Sequence, residues 1–547
     1  MRVLGINALF HDPAAALVLD GATVAAAEEE RFSRRKHGHR PVAPAAWELP
    51  EQAAAWCLAT AGVQPDELDA VGYSYDPALA LPADDESLRD PWDALRTFYA
   101  KRAPRFLAAA LPGLDPEIVR WVPHHVAHAA SAALAAPFDG DCAVLVLDGR
   151  GERASHLAGA YRGGRLEILA TQALPHSIGL LYEDLTEHLG FLRSSDEYKV
   201  MALASYGQPR FLEELRARVY ADGEGGFRTE RIDWNSLAKA RKAGEKPTED
   251  QADLAASVQR RLEEVLVELG WWLYERTGQR RLAMAGGVAL NCVANSVLAR
   301  TGPFTDIWVQ PAAGDAGTAL GAALQLTAED TGLPPAPMPG ADLGRGFSDS
   351  EIEAALRTAA LPYHRPDDVA EVAAEALAAD RVVAWFQGRA EYGPRALGHR
   401  SLLAHPGHAA NLERLNAIKG REEFRPVAPL VLAEQAAEVF DGPLPSPYML
   451  FTHEVRDRWR ERIPAVTHVD GSARVQTVDR EREPLVARLL DRFAARTGVP
   501  VLVNTSLNTA GRPMVDSPRD VLELFGSAPV DLLVAGPFTV RRAEIAR

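Results

Sequence analysis

Residues 2–32 read RVLGINALFHDPAAALVLDGATVAAAEEERF. Three apolar stretches, VLGIN, AAALVL and the run beginning at Ala22, are separated by the loop ALFHDP and by Asp20-Gly21. Short apolar runs joined by an Asp-Gly dipeptide are the local signature of antiparallel strands. The segment therefore predicts a β-meander that starts at once. Residues 142–171 repeat the scheme as CAVLVLD, GRGERA, SHLAGAYR, GG and RLEILAT. In each copy a loop carrying Asp or Gly follows the first strand. Either these are two unrelated hairpins, or the first part of the chain is built on a duplicated unit of the kind that closes two phosphate loops on a nucleotide in actin-like ATPases.

The rest of the chain bounds the possibilities. At 547 residues it is too long for one hydrophobic core, so two or more domains are expected. The net charge of −16 argues against broad binding to a nucleic-acid backbone. Cys57, Cys142 and Cys292 are far apart and form no CxxC pair, which excludes a disulfide framework and a cysteine zinc finger and suits a reducing cytoplasm. MRVLGINALF lacks the marks of a signal peptide. No apolar run approaches the ~18 residues that span a bilayer, so no membrane role is expected. The clearest boundary is GLPPAPMPGADLGRG, residues 332–346, where four prolines and four glycines forbid a continuous helix or central strand. Ser348 to Glu351 then has a capping-box pattern that starts a helix. Domains of 1–340 and 341–547 follow. Leu254, Val258, Leu262, Val265 and Leu269 form a core-packing stripe at helical spacing. The second part mixes strands (VVAWFQ, RPVAPLVL, VPVLVNTS) with helices.

PHHVAHAAS, residues 123–131, is the sharpest chemical signal. His124 and His128 are four apart and share one face of a helix. They are either a polar face or half of a metal site, while His125 points elsewhere and is free for substrate. Asp148, in LVLDGRGE, follows a buried strand, and Gly149 and Gly151 beside it permit close backbone approach to a ligand. Asp315, in QPAAGDAGTALGAAL, is either a helix N-cap or a further ligand. Two His and two Asp suit a divalent transition metal. AMAGGVALNCVAN, residues 283–295, reads strand, double glycine, helix, a turn whose amides suit a nucleotide. His11 and Asp12 sit in the first turn, and Lys36 and His37 follow EEERFSRR. A lysine there would offset triphosphate charge and a histidine there could serve as general base on an alcohol, unless RRKHG is an ordinary solvated basic run.

In the second part, GRAEYGPRALGHRSLLA packs Arg389, Arg395 and Arg400 close together. NAIKGREEFRPVAP adds Lys419 and Arg425, GSARVQT adds Arg474, and VNTSLN adds Asn504, Ser506 and Asn508. Such a set is either surface ion pairs or a pocket for a small phosphate-bearing ligand.

Taken together these motifs resemble the NodU/CmcH O-carbamoyltransferase family, which includes the nodulation-factor, cephamycin, ansamycin and tobramycin carbamoyltransferases. The likeness covers nearly the whole chain, in order, through HDPAAALVLDG, EEERFSRRKHG, HHVAHAASA, LDGRGE, DEYKVMALASYG, GGVALNCVAN, GDAGTALGAAL, GRAEYGPRALGHRS, NAIKGREEFRPVAP and VNTSLNTAGRP. The resemblance implies an α/β fold: a two-lobed actin-like ATPase domain (ASKHA, Kae-type), followed by an α+β YrdC-like domain. It implies that the second domain takes carbamoyl phosphate and releases carbamate, which reaches the first domain by an internal route. There carbamate reacts with ATP, with Mg²⁺ accompanying the nucleotide, and the resulting carbamoyl-adenylate is attacked by a small hydroxylated acceptor. By position, His124, His128, Asp148 and Asp315 would hold Fe²⁺ or another divalent metal. His11 and Lys36 would lie at the transfer site. Asp12, Gly149, Gly151, Gly286, Gly287 and Asn291 would line the nucleotide. Arg395, Lys419, Arg425, Arg474, Asn504 and Ser506 would hold carbamoyl phosphate, with Met449 nearby.

The chain departs from the family pattern at Ala14 in HDPAA, at VMALASYG, at Leu507 in NTSLN and at Gly511-Arg512-Pro513. None of these removes a named residue. Rival readings are a threonylcarbamoyl-type tRNA modification enzyme, a hydrogenase-maturation carbamoyltransferase, an actin-like sugar kinase and a carbamoyl-phosphate sensor. The acidic charge counts against the first, the missing cysteine fingers against the second and the intact Lys and His positions against the fourth, while the third is distinguished by giving ADP rather than AMP from ATP. The acceptor is left open, as is the oligomeric state, a homodimer included.

Overall fold

The computed structural model describes residues 1–38, 48–80 and 92–545. The chain divides into two compact units, Met1–Gly340 and Ala341–Arg547.

The first unit contains two five-stranded sheets of one topology. β1 (Arg2–Asn7), β2 (Ala14–Leu19) and β3 (Ala22–Glu28) form an antiparallel meander, and β4 (Ala70–Tyr73) and β5 (Val119–Trp121) extend it in parallel from β1, in the order β3-β2-β1-β4-β5. β6 (Cys142–Leu147), β7 (Ala154–Arg162) and β8 (Arg165–Ala173) form the second meander. After a short hairpin, β9 (Val219–Ala221) and β10 (Phe227–Thr229), the strands β11 (Arg281–Ala285) and β12 (Asp306–Val309) extend β6 in parallel. The order β8-β7-β6-β11-β12 repeats that of the first sheet. This duplicated topology is the one expected of an actin-like fold. The turn chemistry repeats as well. Asp20 and Gly21 have φ of 48° and 81°, and Gly163 and Gly164 have 57° and 79°. Positive φ at both central residues gives the turn the twist that a two-residue hairpin needs.

One helix ties the elements of the candidate site together. Ala316–Thr331 packs on β1 and β2 and against the helix His124–Ala133. The approach is close because side chains are missing. A Cβ on Gly5 would lie 1.8 Å from the Ala319 carbonyl oxygen, and one on Gly321 would lie 1.7 Å from that of Ala127. Neither glycine tolerates even alanine unless backbone moves. This contact brings the start of one helix beside the histidine face of the other. The long helix Glu249–Thr277 begins with a capping box at Thr248 and buries Leu254, Val258, Leu262, Val265 and Leu269. The sequence reading differs from the structure at the end of the first meander: β3 stops at Glu28, and Glu30–Ser33 form a short helix.

The second unit is an α+β domain, the class expected from the sequence. Its strands are β13 (Val383–Phe386), β14 (Arg400–Ala404), β15 (Ala428–Leu432), β16 (Phe440–Asp441), β17 (His453–Val455), β18 (Ser472–Ala473), β19 (Gln476–Val478), β20 (Val501–Ser506), β21 (Leu532–Ala535) and β22 (Phe538–Arg541). Seven of them form a mixed sheet in the order β19-β15-β20-β14-β13-β21-β22, and β16, β17 and β18 form a smaller one. The helix Asp349–Thr358 opens with the Ser348–Glu351 capping box. Helices such as Pro484–Thr497 cover the large sheet with a fully buried row of Leu489, Leu490 and Phe493. None of the described helices is long and apolar enough to cross a membrane.

Candidate active site

His124 and His128 lie on the first turns of their helix, fully buried, with ring centroids 4.7 Å apart. The helix start is fixed by Glu152, whose Oε1 accepts the backbone N–H of His124 at 2.9 Å and that of Asp76 at 2.8 Å. The backbone carbonyl of Ser74 lies 3.3 Å from His124 Nδ1, which turns Nε2 inward. Asp148 follows β6 and Asp315 precedes the helix Ala316–Thr331. His124 Nε2 is 3.6 Å from a carboxylate oxygen of each, and His128 Nε2 is 3.5 Å from Asp315 Oδ1. Asp315 occupies an N-cap position, yet its side chain makes no capping bond. Its carboxylate is left for the histidines.

These separations are too long for good hydrogen bonds, and His124 Nε2 and both ring nitrogens of His128 are buried without a hydrogen-bond partner. Donors at about 2.0–2.2 Å around one ion stand about 3–3.5 Å from each other, so the four groups fit a metal. The ligand atoms of all four lie within 4.8 Å of one another. Burial alone would lower the proton affinity of His124, but the paired Asp148 and Asp315 carboxylates raise it well above the ordinary value. A cation between them would replace that proton. His125 is different: burial first, then the neighbouring His124, pushes its pKa down to about 3, and its ring sits where a Cβ on Gly151 would be, 2.7 Å from Nδ1.

The turn after β1 carries a second constellation. Asp12 Oδ2 is 2.9 Å from His11 Nδ1, and Asp12 Oδ1 is 2.8 Å from His37 Nδ1. Asn7 Nδ2 donates to the carbonyls of His11 at 2.7 Å and Asp12 at 3.0 Å, which holds the turn. Burial lowers the proton affinity of His11, but Asp12 outweighs it, with smaller contributions from Asp315 and Glu197, and the pKa rises to about 10. Lys36 is adjacent in sequence and half-buried.

The glycine loops are constrained by the protein itself. A Cβ on Gly286, at φ 91°, would meet the Leu147 carbonyl oxygen at 2.1 Å, and one on Gly287 would lie 3.2 Å from Asp148 Oδ1. The Gly287 N–H donates to that oxygen at 2.8 Å, so the double glycine also orients Asp148. Asn291 Oδ1 caps the helix Cys292–Thr301 through Ala294 N at 3.0 Å, and its Nδ2 donates to Gln259 at 2.8 Å. Gly149 faces Glu183, whose Oε1 would be 3.2 Å from an added Cβ. Sequence reasoning passed over Glu183 and Glu197. Burial raises the proton affinity of both, that of Glu197 to a pKa of about 7, and Ser194 bridges them through Oγ to Glu183 at 2.8 Å and N–H to Glu197 at 2.7 Å. Glu197 lay within the DEYKVMALASYG motif, but a glutamate on a helix carries no local sign of burial.

In the second unit the sheet register brings the basic residues to one edge. β14 and β15 both run antiparallel to β20, with Ser401 opposite Ser506 and Ala428 opposite Asn504, and β19 runs parallel to β15. Arg395, Arg425 and Arg474 precede β14, β15 and β19, so they share the edge where Asn504 and Ser506 end β20. Lys419, at the end of the helix Ala410–Lys419, donates to Ser506 Oγ at 3.0 Å and Asn508 Oδ1 at 2.6 Å. Asn504 Nδ2 donates to Gln476 Oε1 at 2.7 Å. Met449 is buried with Ala341, Leu397 and Ala428. Two arginines of the cluster are struts. The guanidinium of Arg400 donates to the carbonyls of Gln387 at 2.7 Å and Arg345 at 2.9 Å, and that of Arg389 donates to Gly344 at 3.0 Å. The loop before β14 is wound around Glu391, whose Oε1 accepts the N–H groups of Leu397, His399 and Arg400 at 2.6, 3.0 and 3.1 Å.

Residues 2–78 and 98–324 match the family model described as Carbamoyltransferase N-terminus, and residues 374–542 match Carbamoyltransferase C-terminus. An uncharacterized Synechocystis protein is 38% identical over 607 residues, covering 99% of this chain and 97% of that protein. The nodulation protein NolNO of Sinorhizobium fredii is 40% identical over 558 residues, covering 98% of this chain and 80% of its own. Nodulation protein U of Rhizobium tropici is 31% identical over 567 residues, covering 94% and 92%.

Proposed function

The chain belongs to the carbamoyltransferase family, and from that premise we propose that it carries a carbamoyl group from carbamoyl phosphate, through a carbamoyl-adenylate made with ATP, to a hydroxyl of a small molecule of secondary metabolism. The observation that carries the reading is the pairing of two unlike sites in one chain. A buried His–His–Asp–Asp set lies among the loops of a duplicated actin-like core, and a separate basic sheet edge lies in the second unit.

Carbamoyl phosphate is first hydrolysed to carbamate and phosphate at the Arg395, Lys419, Arg425 and Arg474 edge. Guanidinium and ammonium groups there pair with the phosphate oxygens. Asn504 and Ser506 supply the polar contacts to the carbamoyl end, and Met449 closes the floor. A carbamate oxygen then attacks the α-phosphorus of ATP in the first unit and pyrophosphate leaves. The nucleotide lies against the backbone of Gly149, Gly151, Gly286 and Gly287 and near Asp12, with Asn291 acting through the helix it caps. Mg²⁺ accompanies the triphosphate and Lys36 offsets its charge. Finally the acceptor oxygen bonds to the carbamoyl carbon, the bond from that carbon to the phosphate oxygen breaks, and AMP leaves with the electron pair. The hydroxyl proton goes to His11, which first has to give up the proton that Asp12 favours. His124, His128, Asp148 and Asp315 would hold Fe²⁺ or a similar ion, which when bound supplies Lewis-acid stabilisation to carbamoyl or phosphoryl oxygen.

The test is incubation with labelled carbamoyl phosphate, ATP and a panel of hydroxylated natural products, followed by mass spectrometry. AMP, pyrophosphate and a carbamate ester are expected. ADP with a phosphorylated acceptor would replace this reading with that of a sugar kinase.

A further inference from the structure

Asp12 is shared. Its two carboxylate oxygens face two imidazoles, His11 Nδ1 at 2.9 Å and His37 Nδ1 at 2.8 Å, and the rings lie 4.5 Å apart with a tilt of 33°. A carboxylate only accepts, so both Nδ1 atoms carry hydrogen and each Nε2 is the atom left for other work. His37 comes from a different segment, the one after the short helix Glu30–Ser33. Its backbone N–H donates to Glu30 Oε2 at 2.9 Å and its φ is 61°. Asp12 is also in the left-handed region, at φ 45°. Conformations of this kind persist only where surrounding contacts hold them.

We infer that His37 is a positioning residue for carbamoyl transfer, holding the second oxygen of Asp12 so that the first orients His11. The inference rests on the function proposed above. His37 acts in two ways. Its N–H stops the carboxylate from swinging away from His11. It also draws charge from Asp12, so that Asp12 binds the His11 proton less tightly than an undivided carboxylate would. An aspartate that sets the tautomer and direction of a histidine is a known source of rate, and here a second imidazole occupies the place that backbone amides often take. In the chemical step the acceptor oxygen bonds to the carbamoyl carbon, the carbon–phosphate oxygen bond breaks with its pair going to AMP, and the proton goes to His11 Nε2. His37 exchanges no atom. Glu183, Glu197 and Asp315 are the further carboxylates that act on His11.

Two substitutions isolate this role without straining the backbone, since Gly and Asn both accept positive φ. His37→Gly deletes the donor. His37→Asn keeps an N–H near the position of Nδ1 but has nothing at Nε2. The full-length protein is assayed with carbamoyl phosphate and ATP against two probes, methanol and hydroxylamine. Methanol must lose a proton as it attacks, whereas hydroxylamine attacks without a base. His37→Gly is expected to lower ATP-dependent methyl carbamate formation by roughly ten- to a hundredfold, as loss of an orienting partner does elsewhere. ATP-dependent hydroxyurea formation should change by less than about threefold, added imidazole should restore part of the loss, and His37→Asn should stay near wild type. Equal loss with both probes, no loss with either, or an Asn variant as poor as the Gly variant would overturn the inference. If the wild-type protein itself makes no AMP-coupled product with either probe, the proposed function fails instead.

Discussion

His128 has both ring nitrogens buried and no hydrogen bond to either, a state that costs stability unless something binds there. Replacing it by Ala takes one imidazole from the four-group set, so metal content measured by elemental analysis should fall, and affinity should drop by roughly ten- to a hundredfold or more. Full occupancy with full activity would make the pair a helix face after all. Glu29 offers a test of stability at the same scale. It is buried, and it accepts the N–H of Ala53 at 2.8 Å and the side-chain amide of Gln52 at 3.0 Å, at the start of the helix Glu51–Ala61, whose N-cap Pro50 offers no side-chain acceptor. Burial outweighs those bonds and raises its pKa to about 7. The folded chain therefore binds a proton between the unfolded value and about pH 7 that the unfolded chain does not. Its contribution to stability falls as pH rises through that window. Glu29→Gln should remove this slope: compared with wild type, the variant's melting temperature gains more at pH 8 than at pH 5. A difference independent of pH would mean that the glutamate is ionised in the fold.

Among the elements, the pair of glycine-mediated helix contacts decides where the candidate ligands stand. Gly321→Ala would push a methyl group onto the Ala127 carbonyl, 1.7 Å away before relaxation. The helix Ala316–Thr331 must then shift against the His124 helix, carrying Asp315 with it. Overpacking of this sort costs about 1–3 kcal/mol, and metal affinity should fall with stability, whereas Thr331→Ser at the exposed C-terminal end of the helix Ala316–Thr331 should leave both unchanged. Glu391 plays the equivalent part in the second unit, and Glu391→Leu should free three backbone N–H groups and cost substrate binding at Arg395. The meanders and their two-residue turns were legible in the sequence because Asp20-Gly21 and Gly163-Gly164 act locally. Asp315 was not resolvable, since a carboxylate before a helix caps or coordinates according to backbone geometry that composition does not carry. Arg389 and Arg400 looked like ligand groups because charge is visible in sequence and the carbonyls that absorb it are not. Residue types suggested residues 124, 128, 148 and 315 as a metal set with capping and a polar helix face as alternatives, and family resemblance joined them as ligands. No spacing rule joins groups so far apart in the chain.

Across the whole molecule, the proposed function divides the chemistry between the two units, and that division is open to a direct test. Arg395 and Arg425 belong in this reading only to the carbamoyl-phosphate edge, while His11 belongs only to transfer. Truncating an arginine that holds phosphate should cost on the order of 2–5 kcal/mol of binding, because the anion loses a charge-assisted partner. Arg395→Ala should therefore fail with carbamoyl phosphate at ordinary concentrations yet still accept carbamoyl-adenylate supplied from outside. His11→Asn should do the reverse. It should cleave carbamoyl phosphate at the normal rate and transfer slowly from supplied adenylate, by the ~10²–10⁴-fold that general-base groups contribute. A two-by-two assay of these variants against the two donors, with melting curves to establish that each is folded, reads the division directly. The asymmetry is the informative quantity, since a substitution that merely loosened the fold would depress both donors together. If both folded variants lose both activities to the same degree, donor cleavage and transfer share one site, and the sheet edge of the second unit serves some other anion.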